Sequence, residues 1–278
     1  MSASEDLALI AHLIRRAGFG ANRDQLETYA AQGYESIVEE LLNPEQQPPF
    51  DDDLAYRYVP YFRMGTGIPS YQCYWMYRMI STQRPLEEKM TLFWHHIFAT
   101  SHSKLNRNPQ MNKQLQLLRG LAMGNFRTVL IELSKDPAMI YWLDNCENHN
   151  GAPNENFGRE LLQLFTVGTV VLNTDGTPKT EKDCHITATY TEDTVPNFAR
   201  VFAGWGYPTH PLDDTPSSDN PSYYIGPMEP WDNRHDTTEN VFMDAISWPQ
   251  AETASRTSTT LCNMFSITRT SGPSLRCA

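Results

Sequence analysis

The sequence predicts an all-α fold: a multi-helix globular domain with one small β-hairpin inserted near residues 169–190. Three observations carry that expectation. Apolar residues recur at three-and-four spacing through most of the first two-thirds of the 278 residues, the period of a helix buried on one face. Ser, Asn, Gly and Pro stand where such helices start and stop. The one stretch with strand character, Val170-Val171-Leu172, then Thr174-Asp175-Gly176, then 186–190, is short and surrounds a turn signal. On its own it reads as a hairpin or as a long loop.

Taken in order, Ser4 caps a first helix that carries Leu7, Ile10, Ala11 and Ile14 and ends at Gly18-Phe19-Gly20. Asn22 opens a second, with Leu26, Tyr29 and Ala30, which stops at Gly33. A third carries Ile37, Val38, Leu41 and Leu42 up to Asn43-Pro44. Residues 44–69, rich in Pro, Asp and Tyr, read as loop. Helical periods resume over 74–80, 85–100, 111–123 and 126–134, and Pro85 suits a first helical turn, where its missing N–H costs nothing. Thr191 caps a further helix with Glu192 and Asp193 in its first turn, where negative charge complements the helix dipole. Residues 206–240 are proline-rich and aperiodic, hence loop. No internal repeat is visible.

A hydrophobic share of 40% suits a packed domain, and a net charge of −11 argues against non-specific nucleic-acid binding, which depends on Lys and Arg neutralising phosphates. No stretch approaches the roughly 20 apolar residues of a membrane helix. The acidic Met1-Ser2-Ala3-Ser4-Glu5-Asp6 start is no secretion signal, so the chain as given is expected in the cytoplasm, and exported if an upstream signal precedes it. Cys73, Cys146, Cys184, Cys262 and Cys277 form no CxxC pair, which argues against a disulfide framework and against a cysteine zinc site.

Residues 154–168 are the most informative stretch. Glu155, Asn156, Arg159 and Glu160 sit among apolar residues on one helix, capped by Asn154 and stopped by Gly168, with Phe157, Leu161, Leu164 and Phe165 as its core stripe. Charge placed against a core must be paired. In a functional reading Glu160 is a general base or metal ligand oriented by Asn156. In a structural reading Glu160 and Arg159 clasp charged residues of neighbouring helices, with Arg15, Arg16 and Arg200 as ready partners, and Glu155 pairs with Arg159 four residues on.

His95 and His96 invite a metal reading, but adjacent helical residues point about 100° apart and cannot both hold one ion. With Leu86, Met90, Phe93 and Ile97 as the inward face, His96 borders that face and His95 points away. One of them meeting Glu160 or Asp193 resembles carboxylate–histidine sites of helical bundles, although no Glu-x-x-His pair is present. Arg15 and Arg16 end the first helix, as anion ligands or as capping and pairing groups. His235 and Asp236 suggest a hydrogen-bonded pair, and Arg200 precedes Trp205 by five residues. The candidate catalytic residues are therefore His96, Glu160 and Arg200. The candidate binding residues are Arg15, Arg16, Asn156, Arg159, Trp205, His235 and Asp236. No metal ligand set is assigned, and the sequence points to no cofactor or partner, since P-loop, dinucleotide, Gly-x-Ser-x-Gly and His-Glu-x-x-His motifs are all missing from it.

Residues 246–278 change character, being rich in Ser and Thr, with two cysteines and neither helical nor strand period. Reading from the third base of the Ile246 codon opens a more protein-like string, with a Gly turn, an apolar stripe and an Asn-His-Pro-Asn break. The single-codon residues Trp248 and Met264 become Ala and Val there. The expectation is a frameshift near residue 246, with a helical domain over 1–245, an out-of-frame tail, and a native sequence that continues past 278.

Four segments carry a resemblance: 12–21 (His-Leu-Ile-Arg-Arg-Ala-Gly-Phe-Gly-Ala); 93–98 (Phe-Trp-His-His-Ile-Phe); Asp136-Pro137-Ala138-Met139 with 154–168; and 190–193 with 199–205 and His235-Asp236. In this order, over about residues 10–240, the chain resembles the DUF1800 family of uncharacterised bacterial proteins. The resemblance implies a mostly helical bacterial protein and, as the family has no established activity, supplies no function. Residues 169–189 stand as an insertion relative to the family pattern, and the family's C-terminal portion is missing or scrambled.

Three functions stay open: a helical structural or interaction protein with an internal polar clasp network; a metal-assisted hydrolase or oxidase using Glu160 with His95 or His96; and a carbohydrate- or peptide-binding module lined by Tyr56, Tyr58, Tyr61, Tyr71, Tyr74, Trp75 and Tyr77.

Overall fold

A computed structural model describes residues 3–58, 68–181, 185–208, 225–238, 240–242 and 246–248. It is mostly helical, with short antiparallel strand pairs. The chain forms two units by contact, Met1–His102 with Asn106–Gly124, and Ser103–Leu105 with Asn125–Ala278.

In the first unit, α1 (Ala3–Ala17) places Glu5 and Asp6 in its first turn and Arg15 and Arg16 in its last, each sign at the helix end it complements. Asn22 caps α2 (Arg23–Gln32) through a reciprocal box with Gln25, satisfying two orphan donors at once. Gly33, at φ 93°, lets the chain turn straight into α3 (Tyr34–Leu42). Ile10, Ile14, Ala17, Ile37 and Leu41 form the core of this three-helix layer, and Leu86 packs onto it.

The expected loop over 44–69 holds a 3-10 turn, Pro44–Gln46, and helix α4 (Asp52–Tyr58). Asp52 and Asp53 in its first turn supply the dipole complement that period alone does not reveal. Helix α5 (Ile68–Ser81) begins before its apolar period does, because Pro69 is tolerated in a first turn. Helices α6 (Pro85–Ile97) and α8 (Asn108–Gly120) match the expected segments closely. Between them, His102–Leu105 forms the short α7.

In the second unit, α9 (Phe126–Leu133) is capped by Asn125. Helix α10 (Pro137–Trp142) is capped by Asp136, whose carboxylate accepts the Met139 N–H at 2.8 Å; the sequence period does not predict it. The 154–168 segment is α11 (Asn156–Glu160) continued by one π-helical stretch, Leu161–Phe165. This corrects the predicted stripe. A π turn takes an extra residue, so Leu162 is buried while Leu164 is 64% exposed. Asn154 still closes the N-terminus, accepting the Asn156 N–H, and Gly168, at φ 73°, ends the segment.

Gly158 faces α12 (Thr194–Val201), and a Cβ there would lie 3.3 Å from the Ala199 nitrogen. The two helices meet where one lacks a side chain, with Phe157 and Phe198 packed edge-on around Phe202. Helix α12 starts at Thr194, so Thr191, Glu192 and Asp193 form the preceding turn. Residues 169–181 and 185–190 carry the expected small hairpin. Val171 bonds both Lys179 and Thr187, and Asp175 accepts the Thr177 N–H inside the turn.

Within the expected loop 206–240, β1 (Trp205–Gly206) pairs with β2 (Glu229–Pro230). Just before the tail, β3 (Asn240–Phe242) pairs with β4 (Ile246–Trp248) at the start of it, so a strand stands at the proposed frameshift, where the sequence shows no strand period. The remainder of the tail lies outside the described residues. No helix among the described residues is long and apolar enough to cross a membrane.

Candidate functional site

In the second unit the 144–160 region is built on asparagines. Asn148, 1% exposed, donates to the Asn145 side chain and the Ala199 carbonyl, and its own Oδ1 accepts the Asn154 N–H. Asn145, equally buried, donates to the Phe202 carbonyl. These two side chains tie the 144–156 loop to α12. Each bond contributes about 0.5–1.5 kcal/mol, but stranding the buried carbonyls costs more. Asp144, left-handed at φ 60°, takes Lys104 Nζ at 2.5 Å and Asn156 Nδ2 at 3.3 Å.

Asn156 therefore orients Asp144, which corrects its expected role beside Glu160. The i,i+4 spacing allows the Glu160 pairing, but the adjacent loop offers a carboxylate first. Arg159 clasps Glu155 at 3.0 Å and Glu192 at 3.1 Å with all three partly or largely exposed, a pairing worth about 0–1 kcal/mol. Glu160 makes no bond to Arg200, and its Oε2 is a buried oxygen with no partner among the described residues. Arg200 instead lies 3.8 Å from Asp236.

His235 and Asp236 do not form the expected pair. His235 Nδ1 donates to the Ala203 carbonyl at 2.7 Å, while Asp236 accepts the Thr238 N–H and hydroxyl. The backbone forces this split. Gly204, at φ 84°, approaches so closely that a Cβ would stand 2.7 Å from the His235 nitrogen, so the ring turns onto the neighbouring carbonyl. Trp205 is 4% exposed, with its indole nitrogen buried and unbonded among the described residues.

The first unit holds a charged site that sequence reasoning missed. Glu88, fully buried on α6, receives Arg78 Nε at 2.7 Å, Arg119 Nε at 2.5 Å and the Trp75 indole at 3.1 Å. Arg78 also holds Asp52 at 2.7 Å and covers the Phe50 ring at 4.6 Å, and Tyr74 donates to Asp52. Two carboxylates face two guanidiniums, so the cluster is neutral. Burial alone would raise the Glu88 carboxyl, but Arg119 and then Arg78 hold it below the usual glutamate range. Burial and the Asp52 bond push the Tyr74 phenol well up.

Polar residues continue along the same helices. Thr91, Gln110 and Gln114 are fully buried, and the Thr100 hydroxyl bonds Gln114. The inward face of α6 is accordingly Glu88, Thr91 and His95, which corrects the expected one. The Leu86 stripe is real where it meets the α1–α3 layer, but Phe93 and Ile97 are 47% and 41% exposed. His95 turns inward, edge-on to Trp75 at 5.5 Å, and burial together with His96 lowers its pKa. His96 is exposed, as are Arg15 and Arg16, which make no ion pair among the described residues.

Tyr74 and Trp75 spend their polar tips on Asp52 and Glu88. The side chains of Tyr56, Tyr58 and Tyr61 lie outside the described residues. His96 belongs to the first unit, while Glu160, Arg200, Trp205, His235 and Asp236 belong to the second. Among the described residues no three His, Cys, Asp or Glu side chains gather as a metal site would require. The signal for the missed cluster is present in the sequence: Glu88, Thr91 and His95 recur at helical spacing, a polar stripe beside the apolar one.

A family model described as a protein of unknown function, DUF1800, matches residues 12–264. The chain belongs to the DUF1800 family. No curated protein and no solved structure matches it. The match begins at His12, and both the buried Glu88 cluster and the asparagine-tied loop of this DUF1800 chain fall within it.

Proposed function

We propose that this DUF1800 chain is a helical structural or interaction protein whose buried charges act as clasps between helices. The observation that carries this reading is Glu88. Its carboxylate is fully buried and both oxygens are taken, by two guanidiniums and an indole. Four hydrogen bonds, two on each oxygen, fill the acceptor positions of this carboxylate, and Asp52 brings the charge sum of the cluster to zero. The test compares Glu88→Gln with Glu160→Gln by thermal unfolding. A clasp protein loses stability on the first substitution and little on the second.

A second reading, a metal-assisted hydrolase or oxidase, draws on Glu160 of the second unit, whose Oε2 is a bare buried oxygen. Near-stoichiometric iron, manganese or zinc in the purified chain, lost on Glu160→Gln, would favour it over the clasp reading. We further propose that the reading frame shifts near codon 246, on the composition of the tail; the family match runs past that codon to residue 264, which weighs against the shift. Resequencing the DNA across that codon decides it.

A further inference from the structure

The chain contains a single Asn-Gly step, Asn150-Gly151, and both residues are exposed. They occupy the centre of a turn closed by the Ala152 N–H on the His149 carbonyl at 3.0 Å. Gly151 stands at φ 83°, while Asn150 is outside the left-handed region, the pattern of a type II turn with Gly at its third position. Such a turn aims the central N–H outward. Among the described residues the Gly151 N–H donates to nothing and the Asn150 side-chain amide has no bond. A Cβ at Gly151 would meet nothing within 4 Å. Nucleophile and electrophile are thus both exposed and unbonded among the described residues.

One contact adds chemistry to that geometry. His149 Nδ1 donates to the Asn150 carbonyl at 3.1 Å. That oxygen belongs to the peptide whose nitrogen is the Gly151 N–H. A donor on the oxygen stabilises the anion formed when the nitrogen loses its proton, because the charge delocalises from nitrogen to oxygen. The side chain that precedes the asparagine thus activates the backbone nitrogen that comes after it.

We propose that Asn150-Gly151 is a self-modifying site that converts to isoaspartate in the folded chain. The Gly151 nitrogen, having lost its proton, attacks Asn150 Cγ. The new C–N bond closes a five-membered succinimide, and the side-chain nitrogen leaves as ammonia. Water then opens the ring at either carbonyl, giving aspartate or the β-linked isoaspartate. Water is the only co-reactant, and no electrons change hands.

The consequence is local and structural. Isoaspartate inserts a methylene into the main chain and leaves a carboxylate on it. The insertion falls beside two ties of this loop: Asn148, whose carbonyl accepts the Gly204 N–H at 2.8 Å, and Asn150, whose N–H donates to the Arg234 carbonyl at 2.8 Å. Those ties hold the segment where Gly204 and His235 pass at close approach. Lengthening the chain between Asn150 and Gly151 shifts the turn and pulls on the second tie first.

The test ages the full-length chain at physiological temperature and mildly alkaline pH. Ammonia release is monitored, and isoaspartate is read by enzymatic methylation with an isoaspartyl methyltransferase and located by peptide mapping. A free peptide spanning residues 147–154 is aged alongside. The expected result is isoaspartate concentrated at residue 150, formed in the folded chain at least as fast as in the peptide. It should be abolished by Asn150→Gln and slowed in the folded His149→Phe chain but not in the equivalent peptide. Circular dichroism verifies that both variants are folded. Slower conversion in the folded chain than in the peptide, an unchanged rate in His149→Phe, or isoaspartate spread evenly over other asparagines would each overturn the proposal.

Discussion

Replacing Glu88 by Gln keeps the shape of the side chain and removes its charge. The surroundings make that loss costly. The Glu88 side chain is 0% exposed, Arg78 is 9% and Arg119 is 12%, so solvent cannot take over the lost partner. The cluster passes from neutral to a net positive charge, with Asp52 left to balance two guanidiniums. Removing one partner of a buried pair costs about 3–5 kcal/mol. At about 2–4 °C per kcal/mol for a chain of this size, the midpoint falls by about 6–20 °C. Calorimetry of the intact chain measures the drop, and amide exchange along α5, α6 and α8 assigns it to the first unit. The pH dependence gives a second check. The folded Glu88 carboxyl titrates below its unfolded value of 4.5, so its contribution is complete above that value and is lost as pH falls through the lower folded one. A protonated glutamic acid resembles Gln, and the gap between wild type and variant should therefore close in acid. A neutral-pH drop below about 2 °C, under 1 kcal/mol, refutes the clasp reasoning, as does a gap that stays constant with pH.

Three further outcomes are expected. Burial and His96 lower the His95 pKa from 6.5, so the first unit loses stability as pH falls below that value; His95→Phe should flatten this part of the denaturant midpoint–pH curve. Gly204→Ala combines a left-handed backbone with a 2.7 Å approach to His235, whereas Gly176, at φ 83°, has open space. Urea unfolding should therefore show a loss for Gly204→Ala beyond the roughly 1–2 kcal/mol expected for a left-handed alanine at Gly176. Cys73 is exposed, while burial, then Glu147 and Asp144, push the Cys146 thiol to about 11; a maleimide at neutral pH should label Cys73 and leave Cys146 until the chain unfolds.

The parts of the fold that sequence reveals are those whose physics is local. Asn22 and Asn125 cap helices because a short polar side chain reaches the next turn's N–H, and that needs nothing beyond neighbours in sequence. Ile10, Ile14, Ile37 and Leu41 find their core because their period is apolar. Sequence reasoning fails where polarity and burial part company. On α6 the apolar stripe points to one inward face, yet a fully buried glutamate occupies another, because its two arginines come from 10 residues before and 31 residues after it. The period shows that Glu88, Thr91 and His95 align; it does not show what waits opposite. The 154–168 segment stands out in sequence, but its π-helical stretch is not legible there, because Leu162 and Leu164 look alike until an extra residue enters the turn. His235 and Asp236 are adjacent in sequence, which suggests a pair. The close passage of Gly204 sends them to different partners.

The Glu88 cluster also restricts how the helices can be assembled. Apolar side chains tolerate sliding, since one leucine packs against another with modest loss. A slip of α6 by one turn moves Glu88 about 5.4 Å along the axis, beyond hydrogen-bond reach of both Arg78 and Arg119, and leaves three charges facing an interior without water. Competing alignments of α5, α6 and α8 that would satisfy hydrophobic burial equally well are thereby made costly. The cluster works as an index mark, selecting one alignment among many that greasy contact alone would accept.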